Sequence, residues 1–362
     1  MIKHIAKLLV CAGLIGAVAV PPASSQTLRK VSIGMGTQVL NLTYPWLMMP
    51  VALDWWKKQG LDVSVIPVSG SLQAIQLLAA GKLDFAEMNS SAIIQANVNT
   101  GIPIRAIMEN TVLDWSITTL SDGPIKKPAD FKGKTVGVFS LASSGTVLLK
   151  AYLAANGLDP ENDVQIIATG AGAPALLALK SDRVQALMFW QSMNTYFENQ
   201  GAKLTYYYLD AWRHMADLSL TTLQSHIDAE PALVKMIAQG AAEGSAFAFA
   251  SPECVRKVQW AHFPDSKPSG APDEATAIAW DMKALSAQMG SMKSSFDANG
   301  GKLWGATSAA RFDTVQQFML QTKEIAKTLP AETYVVPASF FASINDFDHA
   351  AIEKQAQDCP AS

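Results

Sequence analysis

The chain has 362 residues, of which 49% are hydrophobic and 16% are charged, and its formal net charge is −3 at pH 7. This length allows two or three domains with substantial cores. A near-neutral balance without a cluster of Lys and Arg excludes the electrostatic footprint of a nucleic-acid-binding protein.

The first residues predict a secretory signal peptide over 1–25. Lys3 and Lys7 supply its positive end, Leu8–Val20 its apolar segment, and Ala23–Ser25 the small residues for cleavage. The apolar segment is too short to span a bilayer comfortably. We therefore expect a mature protein that is free in an extracytoplasmic space.

The first unit of the mature chain alternates strands and helices. Between Val31–Met35 and Leu61–Pro67, a predicted helix begins near Pro45 and ends near Lys58. From Ser69 to Arg105, a small-residue turn, a short helix, a strand and another helix follow in that order. The remaining predicted strands of this unit are Leu83–Met88 and Ile104–Met108.

The same order of turn, helix, strand and helix recurs between Gly170 and Tyr206. Because neither copy is large enough to bury its own faces, the repeat predicts two α/β lobes of one design. Long helices dominate the rest of the chain after Tyr208. The predicted strands of the second unit are Ile117–Leu120, Thr135–Phe139, Val164–Ala168, Val184–Trp190 and Leu204–Tyr208, and the predicted helices that follow are Glu230–Ala250, Pro252–His262, Glu274–Gln288, Ala309–Thr328 and Pro337–Gln355.

The repeat also predicts how the lobes are divided and joined. The first lobe is expected to hold residues 26–116 plus 213–362, and the second lobe residues 117–212. Two segments should cross between the lobes, near Asp114–Leu120 and Leu209–Arg213. Ligands of open α/β sheets bind outside the carboxyl ends of the strands, so a cleft between the lobes is the expected binding site.

Small polar residues follow the predicted strand ends on both lobes. Ala142–Thr146 offers hydroxyls and free backbone N–H groups at a helix N-terminus, which suits a carboxylate, sulfonate or nitrate. Ordinary helix capping is the alternative interpretation. Arg105 and Arg213 are further candidates to hold an anion, with surface ion pairs as the alternative.

Three tryptophans, Trp46, Trp115 and Trp190, lie near predicted strand ends or the hinge. They could stack on a planar ligand or enclose an aliphatic one, and core packing is the alternative. The predicted ligand-binding residues are Gln38, Trp46, Ser71, Asn89, Ser90, Ser143, Ser144, Gly145, Thr146 and Trp190.

No catalytic constellation is recognisable. The nearest match to a nucleophile elbow, Leu141–Gly145, lacks the leading glycine, and there is no P-loop. The histidines are scattered and form no helical metal-binding pair. The sequence therefore predicts a binding protein without a cofactor or metal, and not an enzyme.

The mature chain keeps two cysteines, Cys254 and Cys359. Outside the cytoplasm two cysteines commonly pair, which predicts a disulfide that joins the tail to a helix. Two unrelated thiols are the alternative.

Several stretches resemble the periplasmic solute-binding proteins of ABC importers, in their nitrate/sulfonate/taurine group. Ala80–Ala86 after a helix, and then Gly101–Ile104, carry the resemblance in the first unit. Pro128–Val138 and Gly157–Pro160 extend it over most of the mature chain. The resemblance implies a type II periplasmic-binding-protein fold, with a mixed sheet flanked by helices in each lobe. It also implies closure on a small solute in the periplasm and delivery to a membrane permease, and we expect the protein to be a monomer.

Two other functions stay open beside transport of a small anionic organic solute. The fold is also similar to that of the thiamine-pyrimidine synthases, so a pyrimidine-precursor binding protein or enzyme is one alternative; the dense cysteine motif of those enzymes is absent here. A sensory subunit that signals to a membrane kinase is the other. In the family a proline often follows shortly after this tryptophan, and no such proline follows Trp190 here. The identity of the ligand therefore stays open.

Overall fold

The computed structural model describes residues 27–37 and 40–360. The predicted signal peptide and Gln38 lie outside the described residues. Within them, the strands form two five-stranded mixed sheets, each flanked by helices. The predicted α/β class with two lobes is confirmed.

The first sheet belongs to the first lobe, and its strands are β1 (Arg29–Met35), β2 (Leu61–Pro67), β3 (Phe85–Asn89), β4 (Ile104–Glu109) and β10 (Leu218–Leu223). Their spatial order is β2-β1-β3-β10-β4, with β10 antiparallel to both of its neighbours. Strand β1 pairs in parallel on both sides, with Ile33 opposite Val65 and Phe85. All five residues of β3 are buried, as expected of a strand covered on both faces.

The second sheet lies in the second lobe, and its strands are β5 (Ser116–Leu120), β6 (Lys134–Val138), β7 (Val164–Ala168), β8 (Ala186–Phe189) and β9 (Leu204–Tyr207). It repeats the topology of the first sheet, with the order β7-β6-β8-β5-β9. Here β5 is the antiparallel strand, between β8 and β9. The sequence repeat thus corresponds to two sheets of one design.

Two segments, residues 110–115 and 208–217, cross between the sheets and hydrogen-bond to each other. Leu113 donates its N–H to Met215 across 2.9 Å, and Asp217 donates to Thr111 across 3.0 Å. The expected pair of crossing segments is therefore present. Its first member ends earlier than predicted, because Ser116–Leu120 is strand β5.

The helices surround both sheets and dominate the C-terminal third of the chain. Their bounds are α1 (Pro45–Ala52), α2 (Trp55–Lys58), α3 (Ser71–Ala79), α4 (Ser90–Gln95, continued by a π-helical turn at Ala96–Thr100), α5 (Ser144–Ala155), α6 (Ala173–Lys180), α7 (Gln191–Asn199), α8 (Gln224–Ala229), α9 (Pro231–Ala250), α10 (Pro252–His262), α11 (Glu274–Ala298), α12 (Ala309–Gln321), α13 (Ala338–Ile344) and α14 (His349–Asp358). Short 3₁₀ turns lie at Pro128–Phe131, Asp210–Trp212, Pro264–Ser266 and Ala331–Tyr334.

Some predicted helices have different limits, each for a local reason. The first helix breaks at Asp54, which has the left-handed φ of 58°. Lys323, with φ of 63°, ends α12 before the predicted Thr328. The C-terminal helix is split, because the Asp348 side chain accepts from Ala351 N–H and so caps a separate helix.

The sequence did not predict strand β10, and it predicted helix α11 too short. Strand β10 was hidden among helices in the sequence, although its Leu-Ser-Leu-Thr-Thr-Leu run is buried in the centre of the first sheet. Helix α11 continues ten residues past Gln288, because Met292 and Ser295 lie on its buried face.

Helix α11 contacts both lobes. In its first half, the Trp280 carbonyl accepts from Asn199 across 3.1 Å, and Lys283 pairs with Glu198 at 2.9 Å, so it is held to α7 of the second lobe. In its second half, Ser291 donates to the Val112 carbonyl of the first crossing segment across 2.8 Å. The helix therefore runs along the hinge.

Cys254 in α10 is bonded to Cys359 just after α14, with a Cα–Cα distance of 5.4 Å. The predicted disulfide is confirmed, and it ties the end of the chain to the first lobe. None of the described helices is long and apolar enough to cross a membrane.

Candidate functional site

The candidate site is a cleft between the two lobes, at the carboxyl ends of β1, β3, β6 and β8. Both crossing segments contribute to it, and its cavity volume is about 40 Å³, enough for a small head group or a few water molecules. Its lining residues, which define the interlobe cleft, are Met35, Gly36, Tyr44, Gly70, Ser71, Glu87, Asn89, Thr111, Asp114, Trp115, Phe139, Ser143, Trp190, Asp217, Leu218 and Gln288.

The lobes touch each other around this cleft. Ser140 of the second lobe donates to the Ser69 carbonyl across 3.1 Å, and Ser91 donates to the Ser144 hydroxyl across 3.1 Å. Gly70, with φ of 133°, approaches Ser140 and Ser143 closely enough that a β-carbon there would lie in contact with them. The structure is therefore a closed conformation.

A chain of polar side chains occupies the first-lobe side of the cleft. Ser71 donates to the side-chain oxygen Oδ1 of Asn89 across 3.1 Å, and the side-chain amide Nδ2 of Asn89 donates to Asp217 Oδ1 across 2.6 Å. Trp115 Nε1 donates to the other Asp217 oxygen across 3.2 Å. Burial raises the pKa of Asp217 well above its usual range, and the two hydrogen bonds oppose that shift.

Glu87 brings a second carboxyl group to the cleft from the buried strand β3. Its Oε1 accepts from the Asn110 amide across 2.7 Å, and the side chain is only 1% exposed. Burial raises the pKa of Glu87 to about 8. The indole N–H of Trp46 faces this carboxyl group and lowers its pKa, but neither Trp46 Nε1 nor Glu87 Oε2 completes a hydrogen bond within the described residues.

Asp114 supplies a third carboxyl group from the first crossing segment. Burial raises its pKa to about 6, while the backbone N–H of Gln191 and the charge of Arg213 oppose the shift. The Arg213 guanidinium lies 3.8 Å from the ring centre of Tyr208 and donates to the Asp114 carbonyl across 3.4 Å. Arg213 supports this segment from outside the cleft.

Aromatic rings form the remaining walls. Trp115 and Trp190 meet edge to face with ring centres 5.3 Å apart, and Phe139 packs on Trp190 at 6.0 Å. Tyr44 lies against the first lobe, and burial raises its pKa to about 12. The charges of Asp114 and Glu87 raise the pKa of Tyr44 in the same direction as burial does.

The structure brings four of the predicted site residues into the interlobe cleft: Ser71, Asn89, Ser143 and Trp190. Ser143 donates its hydroxyl to the Ser140 carbonyl across 2.7 Å, which fixes the loop before α5.

Other predicted residues lie behind the cleft. Trp46 is fully buried in α1, against Tyr44, and Tyr44 supplies the wall that was expected from Trp46. Ser90 donates to the Ala216 carbonyl beneath the crossing segments. Gly145 packs against Trp115 instead of facing the cavity, because a β-carbon on Gly145 would lie 2.5 Å from that ring.

Ser144 and Thr146 face a different interlobe cavity, which also includes Leu141, Lys150 and Glu324 in its lining. The serine-rich segment is thus divided, with only Ser143 in the candidate site. Arg105, a candidate for anion binding, instead donates to the Val335 carbonyl across 3.0 Å and is not part of the cleft lining.

Sequence reasoning missed the three carboxyl groups of the cleft. Glu87 was visible as a charged residue inside the apolar run Phe85–Met88, and Asp217 directly precedes the strand that was also missed. A charge within a fully buried strand is a signal for a functional group, because burial without a partner is costly.

A second chamber of about 310 Å³ adjoins the interlobe cleft and shares Tyr44 and Trp190 with it. Its other lining residues include Asn41 and Thr43 of the first lobe, and Ser192 and Met193 of the second lobe. A molecule seated in the cleft can therefore extend past the two shared rings.

Comparisons with known proteins agree with this architecture. The sequence model of the family described as NMT1/THI5 like matches residues 47–254, more than half of the chain. No curated protein sequence matches it.

Three solved structures illustrate the similarity in fold. One is a protein from Bordetella bronchiseptica RB50, with a TM-score of 0.66 at 20% identity over 87% of this chain and 96% of that one. Another is the alkanesulfonate-binding protein SsuA from Xanthomonas axonopodis pv. citri bound to MOPS, with a TM-score of 0.58 at 14% identity over 85% and 98%. The third is the desulfurization enzyme DSZB, with a TM-score of 0.55 at 14% identity over 88% and 99%. At these identities the similarity shows the fold alone, which is that of the periplasmic binding proteins.

Proposed function

We propose that this chain, which belongs to the NMT1/THI5-like family, is the extracytoplasmic solute-binding component of an ABC importer. The observation that carries the proposal is the interlobe cleft, which both lobes and both crossing segments line. Two sheets of one topology, joined by two hydrogen-bonded segments, can rotate about the hinge and close on a molecule between them.

Export and delivery complete the proposal. The predicted signal peptide at 1–25 would send the protein to the periplasm, and the closed, solute-loaded form would dock on a membrane permease as a monomer. The expected lobe limits, 26–116 plus 213–362 and 117–212, are part of this proposal, and the membership of the strands in the two sheets supports them.

Catalysis is the second candidate, because three carboxyl groups with raised pKa values share one cleft. The fold also occurs in an enzyme, the desulfurization enzyme DSZB. Yet none of the described cleft residues is a cysteine or histidine, so the cleft offers no such nucleophile. Binding without chemistry is the simpler use of the site.

Native mass spectrometry of the exported protein tests the proposal. We expect a solute that co-purifies with the protein and keeps its own mass after prolonged incubation. When added back, this solute should raise the melting temperature of the protein. A strain without the gene should lose uptake of that solute. A change in the solute's mass would support the enzyme instead, and uptake at the normal rate would contradict the transport role.

A further inference from the structure

The charge of the interlobe cleft differs from what an anion needs. Its described lining contains three carboxyl groups, from Glu87, Asp114 and Asp217, and no Lys, Arg or His. The nearby cations are engaged elsewhere: Arg213 stacks on Tyr208 outside the cleft, and Arg311 pairs with Glu109. An anion in this cleft would meet no positive side chain, whereas a cation would favour the ionised form of the carboxyl groups, whose pKa values burial raises.

One carboxyl oxygen of the cleft has no hydrogen-bond partner within the described residues. Glu87 Oε2 is buried without a hydrogen bond from the described residues, whereas Oε1 accepts from Asn110. The Trp46 indole N–H faces this carboxyl group without completing a hydrogen bond, so Glu87 is only partly stabilised by its protein neighbours. A cation with N–H donors beside Glu87 would favour its ionised form and offset the cost of burying that charge.

The aromatic walls fit the same chemistry. Tyr44, Trp115 and Trp190 surround the cavity, and the faces of such rings attract cations. The cavity of about 40 Å³ accommodates a compact head group, and the chamber of about 310 Å³ beyond Tyr44 and Trp190 has room for a larger substituent.

We propose that the solute carries a positively charged head group with N–H donors, a protonated amine, amidine or guanidinium, held among Glu87, Asp114 and Asp217. This inference rests on the proposed function and names the class of solute that the receptor captures. The head group would pair with these carboxyl groups and lie against the aromatic rings, while its body would extend past Tyr44 and Trp190.

A matched panel of ligands tests the charge. The mature full-length protein is titrated at pH 8 with benzylamine, benzamidine, methylammonium and guanidinium, and in parallel with benzyl alcohol, benzamide, benzoate, benzenesulfonate, methanesulfonate and nitrate. We expect at least one cation, and none of the anions, to raise the melting temperature. A rise with an anion alone would overturn the cationic class and leave the receptor standing. A panel in which nothing binds would overturn both proposals.

Isosteric variants then locate the cation. Glu87→Gln should weaken binding of the active cation at least tenfold, and Asp114→Asn provides an independent second variant. Glu353→Gln, at an exposed position in α14, makes the same change of charge and should leave the affinity within about twofold. Unchanged affinity in both cleft variants would contradict the assignment.

Discussion

The side-chain amide of Asn89 donates a hydrogen bond to Asp217 across 2.6 Å, which ties the end of strand β3 to the second crossing segment. Asn89 was expected to bind the ligand directly. Its donor is instead used to orient a carboxyl group of the cleft, so its effect on binding passes through Asp217.

Asn89→Ala should therefore shift the pH dependence of binding. Loss of this donor raises the pKa of Asp217 further, since the hydrogen bond favours the ionised form. We expect solute affinity to fall by roughly tenfold near neutral pH and to recover partly at higher pH. Titration calorimetry between pH 6 and pH 9 measures both effects.

Asn162→Ala is the matched control for this variant. Its amide donates to Asp159 across 2.7 Å in the same way, but at an exposed site away from the cleft. Binding should be unaffected there. If Asn89→Ala weakened binding by the same factor at every pH, Asn89 would instead contact the solute itself.

The stability of the unliganded protein should fall as pH rises from about 5 to about 9. Burial raises the pKa of Glu87 from 4.5 to about 8, that of Asp114 from 3.8 to about 6 and that of Asp281 from 3.8 to about 7. In this window the folded state binds more protons than the unfolded state, so each group lowers the unfolding free energy by up to about 1.4 kcal/mol per pH unit.

Glu87→Gln should flatten that slope between pH 5 and pH 8, because it removes the group with the highest pKa of the three. Urea denaturation of both proteins at several pH values measures the slopes. Glu353→Gln serves again as the control at an exposed position. If Glu87→Gln retained the full pH slope, Glu87 would already be ionised in the folded protein.

Gly145→Val should impair binding through Trp115. A β-carbon at Gly145 would lie 2.5 Å from Trp115 Cζ3, so the ring must move out of its place in the cleft wall. We expect a loss of roughly 1–3 kcal/mol in stability from overpacking, together with severe loss of affinity. Gly290→Ala in α11 is the control, since a β-carbon there meets nothing within 4 Å. Fluorescence titration measures the affinity, and thermal unfolding measures the stability. Unchanged affinity in Gly145→Val would show that Trp115 is not essential for binding.

Removal of the disulfide should affect stability and not binding. The double variant Cys254→Ser, Cys359→Ser opens a link between residues 105 positions apart, and we expect a loss of about 2–5 kcal/mol in unfolding free energy. The dissociation constant should stay the same, because neither cysteine lines the cleft. Chemical denaturation with and without a reducing agent compares the reduced and the disulfide-bonded protein. An equal midpoint in both would show that the disulfide does not stabilise the fold.

The repeated lobe could be predicted from the sequence because it depends on local patterns. Gly–Ser turns, apolar periods and β-rich runs recur in both copies, and they placed Ser71, Ser143 and Trp190 at strand ends that prove to meet. Such patterns report which face of an element is apolar, and the fold then brings the strand ends together.

The charge of the cleft could not be read from the same patterns. Whether Glu87 or Asp217 is buried depends on strands β3 and β10 and on the closed second lobe, which are distant in sequence. The length of α11 was hidden for a similar reason, since polar residues such as Ser291 and Ser295 are buried by contact with Val112 and Glu109. Periodicity treats those serines as solvent-facing.

Helix α11 also affects how often the proposed receptor closes without a solute. Opening the cleft must break its contacts with α7, namely the Lys283–Glu198 pair and the Asn199–Trp280 hydrogen bond. These contacts form without a solute, so their interaction energy favours the closed form of the empty protein. An importer that recognises only the closed shape would then be engaged by the empty protein and would hydrolyse ATP without cargo.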